Sequence, residues 1–149
     1  MAGSLTNAAE TALLNHIFTN ADWANIGDAA GLQNSATAGN LYVALFTVAP
    51  SDSSGGTECD YTSYARVAVE RSAGGWTVSG NNATNTAAVT FPTAGVTDAD
   101  VAVAFGILTA DAAGDLLFWG DITDPAGGLT IDDGITPSFA IGALDINID

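Results

Sequence analysis

The sequence is poor in positive charge. It has no lysine, and its only cationic side chains, Arg66 and Arg71, stand against seventeen Asp and Glu residues, which gives a formal net charge of −15 over 149 residues. Phosphate neutralisation needs several cations, so this composition excludes nucleic-acid binding of that kind. It also excludes attraction to an anionic membrane surface.

Cysteine and histidine each occur once. Cys59 alone cannot form an internal disulfide, and its acidic neighbours predict a raised thiol pKa rather than an activated one. A Ser-His-Asp or Cys-His site would have to use His16, which has no nucleophile in a strained turn nearby. One His and one Cys cannot supply the four ligands of a structural zinc site. We therefore expect a protein that is not an enzyme, with His16 at a surface or an interface.

Long apolar runs are also missing. No run approaches the roughly 20 residues of a membrane span, and the first ten residues lack the cationic start of a secretory signal. The length fits a single domain with a substantial core.

One N-terminal helix is predicted. Thr6 or Asn7 can act as its N-cap, and an apolar stripe at helical spacing ends near residues 18–21. Together with nearby apolar residues, this stripe is the predicted contact surface for a partner, and it comprises Leu5, Leu13, Leu14, Ile17, Phe18, Trp23 and Ile26. The alternative is that the stripe only covers one end of the body of the protein.

From residue 41 onward the pattern changes to short strands and turns. We predict strands at 41–48, 64–70, 76–79, 87–91, 101–109, 116–122, 129–131, 138–141 and 144–148, with a possible bulge at Gly106. This predicts a mainly β fold, an antiparallel β-sandwich of jelly-roll type with one N-terminal α-helix. The predicted organisation is an arm, helix and Gly-rich loop over residues 1–40 and a sandwich body over 41–149.

Aspartates and tryptophans offer further candidate sites. Asp98 with Asp100, Asp111 with Asp115, and Asp132 with Asp133 form oxygen-rich turns that could bind Ca²⁺ or another divalent cation, although solvated turn acids are the preferred interpretation. No cofactor is expected. Trp76 and Trp119 lie in strand patterns and are expected in the core, and Trp23 is the better interface candidate.

A series of segments carries a family resemblance. They are 4–10 (SLTNAAE), 41–47 (LYVALFT), 64–69 (YARVAV), 105–107 (FGI), 116–118 (LLF), 134–137 (GITP) and 142–144 (GAL). In this order they resemble a family of small tailed-bacteriophage virion proteins, labelled capsid decoration (cement) or tail fibre proteins. These motifs are structural, and the resemblance implies no catalytic residue.

Two roles follow from the resemblance. The first expectation is a non-enzymatic cement protein on the outer surface of the phage head, which clamps neighbouring capsomers. Its partners would be the major capsid protein and copies of itself, arranged as a homotrimer, and its acidic surface would be repelled from packaged DNA. The alternative is a tail fibre or tail-tip component that binds a host receptor or glycan.

Overall fold

The computed structural model describes residues 4–95 and 99–148. Within them the chain forms one α-helix and twelve β-strands. In chain order these are α1 (Asn7–Phe18), β1 (Asn40–Val48), β2 (Thr57–Glu58), β3 (Val67–Glu70), β4 (Trp76–Ser79), β5 (Asn82–Asn85), β6 (Val89–Thr90), β7 (Asp100–Ala102), β8 (Ala104–Leu108), β9 (Leu116–Asp121), β10 (Leu129–Ile131), β11 (Ser138–Phe139) and β12 (Asp145–Asn147). No described helix has the length and hydropathy needed to cross a membrane.

The described residues fall into two compact units. The helical unit contains residues 4–40, 70–88 and 140–148, and the sheet unit contains residues 41–69, 89–95 and 99–139. The division of the sequence into residues 1–40 and 41–149 stays a prediction.

The helical unit is built on the antiparallel sheet β12-β5-β4, with α1 packed against β4 and β5. Thr6 caps the helix by accepting a hydrogen bond from the Ala9 amide, which settles the choice between Thr6 and Asn7. Phe18 lies edge-on to Trp76 with ring centroids 4.7 Å apart, and both side chains are fully buried. The predicted core position of Trp76 is confirmed.

Two polar side chains stabilise this unit. The Arg71 guanidinium donates to the carbonyls of His16 and Ile17, both at 2.7 Å, and so satisfies the C-terminal end of α1. The buried Asn85 amide donates to Ala140 O at 2.8 Å and accepts from Leu144 N at 2.9 Å. These bonds hold the C-terminal segment beside β5.

The sheet unit contains a five-stranded antiparallel sheet in the order β2-β1-β8-β9, with β3 also paired to β1. Two-stranded pairs, β10-β7 and β11-β6, complete it. One face of the large sheet carries the main core, formed by Val43, Leu45, Phe105 and Ile107 together with an aromatic group of Tyr61, Tyr64, Phe91 and Phe139. β1, β8 and their core are the frame on which β9 is held.

The predicted mainly β class, antiparallel with one N-terminal helix, is confirmed, and several details of the strand prediction are wrong. The single strand over 101–109 is broken at Val103, because β7 pairs with β10 whereas β8 pairs with β1 and β9. β2 (Thr57–Glu58) and β5 (Asn82–Asn85) lie outside the strands predicted from the sequence. The strands predicted over 64–70, 87–91, 138–141 and 144–148 are shorter in the structure.

Gly106 does not mark a bulge. It pairs in regular register with Ala44 and Trp119. A Cβ at this position would lie 2.7 Å from both Leu116 Cδ1 and Phe46 Cε2, so any larger residue would force these two side chains to shift.

Candidate functional site

β9 is an edge strand of the large sheet, and its outer side is open among the described strands. It pairs only with β8, through Gly106↔Trp119 and Phe105↔Gly120. Ile122 N donates to Val103 O at 2.8 Å, and hydrogen-bonded pairs alternate along an antiparallel ladder. The backbone groups of Trp119 and Asp121 therefore face away from β8, toward the open edge.

A β-bulge interrupts this strand. Ile107 pairs with Phe118 whereas the next residue, Leu108, pairs with Leu116, so Leu117 is the extra residue. Leu117 and Trp119 are each 39% exposed. The strand thus presents two large apolar side chains to solvent at the edge of the sheet.

A groove of about 490 Å³ runs along this edge. We call it the edge groove, and it is lined by Ser51, Asp52, Ser53, Ser54, Gly55 and the four successive residues 116–119. The four lining residues of β9 are consecutive and include the bulge at Leu117, so the groove follows this part of the strand. Its volume is within the range of ordinary ligand sites.

The remaining lining of the edge groove is a tight turn. Ser51 N donates to Ser54 O at 2.9 Å, and Ser54 N donates to Ser51 O at 3.2 Å. Asp52 and Ser53 form the exposed tip. This turn brings hydroxyl groups and one carboxylate beside an apolar strand.

A small apolar cluster supports the groove from beneath. Leu116 packs against buried Phe46, Ala104 and Leu108, which share one face of the sheet. A second groove of about 360 Å³ shares Gly55 and Leu116 with the edge groove, and its other lining residues include Phe46, Leu108, Asp115 and the ion-paired Glu58 and Arg66. The two grooves adjoin at Gly55 and Leu116.

Arg66 holds the loop that leads into β9. Its Nε and Nη2 donate to the two carboxylate oxygens of Glu58 at 2.9 and 2.8 Å, and its Nη1 donates to the carbonyls of Ala110 and Ala113 at 2.8 and 2.7 Å. Tyr64 Oη donates to Glu58 Oε1 at 2.7 Å. We call Glu58, Tyr64 and Arg66 the arginine latch.

Burial and mutual hydrogen bonds shift the pKa values of all three residues of the latch. Burial works to raise the pKa of Glu58, but hydrogen bonds from Arg66 and Tyr64 and the Arg66 charge lower that pKa below its ordinary value. The hydrogen bond to Glu58 raises the pKa of Arg66. Burial, followed by the hydrogen bond to Glu58, raises the pKa of the Tyr64 hydroxyl. The latch is therefore a fixed ion pair at neutral pH.

Cys59 follows Glu58 of the latch in sequence, and its thiol is unreactive at neutral pH. Its thiol is buried, and burial followed by the charges of Asp100, Glu58 and Asp60 raises its pKa to about 12. Asp100 itself accepts hydrogen bonds from the amides of Asp60 and Tyr61 at 3.0 and 3.1 Å, which is a structural role. The raised thiol pKa predicted from the sequence is confirmed, with burial as its largest cause.

Comparison with protein-family models identifies a family that matches nearly the whole chain. The model of the family described as Podophage GP4 fiber I protein gp80 matches residues 4–147. The chain belongs to this family. The predicted membership of a phage virion protein family is confirmed, and the fibre family's description places the chain among phage virion structural proteins. No curated protein matches the chain.

The family description supports one of the two predicted roles more than the other. It agrees with the alternative, a tail fibre component, better than with the cement protein. Capsid decoration, a head-surface location and a homotrimer are not confirmed by it. The family membership supports a virion location.

The seven predicted contact residues of this fibre-family chain all lie in the helical unit, but in different environments. Leu14 and Phe18 have no exposed surface, because they form the core beneath α1. Leu13, Ile17 and Trp23 are half-buried, and Trp23 forms an isolated bridge with Leu32. Leu5 and Ile26 are exposed. The contact role stays a prediction. Only the half-buried and exposed residues could take part in it, which are Leu5, Leu13, Ile17, Trp23 and Ile26.

Sequence reasoning missed the edge groove because it placed Trp119 in the core. The predicted core position of Trp119 is wrong, since β9 is an edge strand and the Trp119 side chain is 39% exposed. One sequence signal pointed to this. Asp121 lies two residues after Trp119, and residues two apart in a strand share a face, so Trp119 shares a face with a carboxylate.

The acidic turns do not converge. Among residues 4–95 and 99–148, no group of three or more His, Cys, Asp or Glu side chains is arranged to hold a metal ion. Asp98, part of one predicted turn, lies outside the described residues. His16 Nδ1 donates to Ala21 O at 2.8 Å, so the single histidine has a structural partner just beyond the end of α1.

Proposed function

We propose that this protein is a non-enzymatic component of a phage tail fibre that contacts the host cell through the edge groove. The observation that carries the proposal is the open groove with Leu117 and Trp119 exposed in a fibre-family chain. Exposed aromatic residues in a concave site are typical of contact surfaces, because they bury much area at small conformational cost.

The state of the two scarce reactive residues supports a non-enzymatic role. Cys59 is buried and stays protonated at neutral pH, and the His16 ring is held by the Ala21 carbonyl. Neither lines the edge groove. The groove therefore has neither a thiol nor an imidazole to act as a nucleophile or to activate one of its serine hydroxyls.

Antibody labelling of intact virions, viewed by electron microscopy, tests the location. We expect label confined to the tail, with antibody pre-absorbed on purified protein as the control. Label over the whole head would contradict the proposal and favour the cement role, with the major capsid protein as the partner. Association with further copies of the chain, including a trimer, stays a prediction.

A further inference from the structure

The edge groove combines a flat aromatic surface with hydroxyl groups. Trp119 and Leu117 line it together with Ser51, Ser53 and Ser54. The Ser51 and Ser54 hydroxyls each accept a hydrogen bond from a backbone amide at 3.4 Å and keep their own O–H to donate. A pyranose ring has the matching character, with apolar C–H faces that stack on an indole and a rim of hydroxyls that pair with polar side chains. The groove volume of about 490 Å³ accommodates a short oligosaccharide.

Charge narrows the class of saccharide. Asp52 is the one ionisable residue that lines the groove. The single arginine of the sheet unit, Arg66, already uses its guanidinium on Glu58, Ala110 and Ala113, and the chain has no lysine. An anionic sugar would meet a carboxylate and no available cation, in a chain of net charge −15. The groove therefore suits a neutral or amine-bearing saccharide.

A peptide strand fits this edge less well. The bulge at Leu117 breaks the regular spacing of outward backbone groups that an added strand would need. Asp121 places a charge at the end of the same edge. Bulges and charges on an edge strand are features that oppose strand addition.

We infer that the edge groove is a binding site for a neutral or amine-bearing saccharide of the host surface, which stacks on Trp119 and hydrogen-bonds to the 51–55 turn. This inference rests on the proposed function, since it names the ligand of the same groove.

Binding of the labelled full-length protein to host cells tests the inference. We expect binding to be lost after periodate oxidation of vicinal diols and kept after protease treatment. Trp119→Ala should lower the affinity at least tenfold, and Ile141→Ala, at an exposed apolar position that does not line the groove, should leave it unchanged. Circular dichroism of both variants verifies that they fold.

Three results would overturn the inference. They are binding that protease abolishes and periodate spares, equal affinity of the Trp119→Ala variant, and competition by polysialic acid, an anionic glycan. If virion label is confined to the tail and these results appear, the ligand assignment fails and the fibre role stands. Label over the head would instead remove the fibre role itself.

Discussion

Arg66 and Glu58 are joined by two parallel hydrogen bonds, from Nε to Oε1 at 2.9 Å and from Nη2 to Oε2 at 2.8 Å. The pair links β2 to the residue that precedes β3, and through Nη1 it fixes the carbonyls of the loop before β9. One of only two cations in the chain is therefore used to position the strand that carries Trp119.

The latch predicts a pH-dependent stability. Because the folded pKa of Glu58 is lowered, its contribution is present above its ordinary pKa and is lost as pH falls through the folded value. We expect Glu58→Gln to lower the free energy of unfolding by about 1–2 kcal/mol at neutral pH. The difference in unfolding free energy between the variant and wild type should become smaller below about pH 4. Urea unfolding measures both. Glu70→Gln, at an exposed position, is the control, and a difference independent of pH would contradict the assignment.

Close packing at Gly106 predicts a cost for the smallest added side chain. A Cβ there would lie 2.7 Å from Phe46 and Leu116, so Gly106→Ala should destabilise the protein by about 1–3 kcal/mol. At Gly74 the nearest atom to an added Cβ is 3.4 Å away, so Gly74→Ala should change stability by less than about 0.5 kcal/mol. Equal unfolding midpoints for the two variants would refute the packing requirement.

Substitutions in the apolar stripe of α1 and its flanking residues should affect stability differently at buried and exposed positions. Phe18→Ala should cost about 3–5 kcal/mol, because the ring is fully buried against Trp76. Leu5→Ala, at an exposed position, should stay within about 0.5 kcal/mol of wild type. Denaturant unfolding compares them. A stable Phe18→Ala protein would mean that α1 is not part of the core.

The buried thiol predicts slow chemical modification. With its pKa raised to about 12 and its side chain buried, Cys59 should react with iodoacetamide at least about 100-fold more slowly in native protein than in urea at pH 8. Mass spectrometry of timed samples gives both rates. Similar rates in the two conditions would show that Cys59 is accessible in the folded protein.

Much of this fold could be predicted from local patterns. α1, β1, β4 and β10 follow from residue types and their periodicity, and the burial of Trp76 follows from its strand context. The Asn-rich β5 could not be predicted this way. It is a strand because Asn85 finds buried partners near residues 140 and 144, which are distant in sequence.

The candidate site depends on such distant relationships even more. Trp119 is exposed because β9 lies at the edge of the sheet, and strand order is a property of the whole unit rather than of residues 116–121. The latch joins Glu58 to Arg66 across a loop, and the 51–55 turn comes beside β9 only in the folded chain. Composition did predict one feature that bears on the ligand, the scarcity of cationic side chains.

Phage adsorption tests the central claim most directly. Virions that carry Trp119→Ala should adsorb to host cells at least tenfold more slowly than wild type, with the same number of copies of this protein per particle. Virions that carry Ile141→Ala, at an exposed position that does not line the edge groove, should adsorb at the wild-type rate. An unchanged adsorption rate for Trp119→Ala virions with a full complement of the protein would contradict a host-contact role for the edge groove.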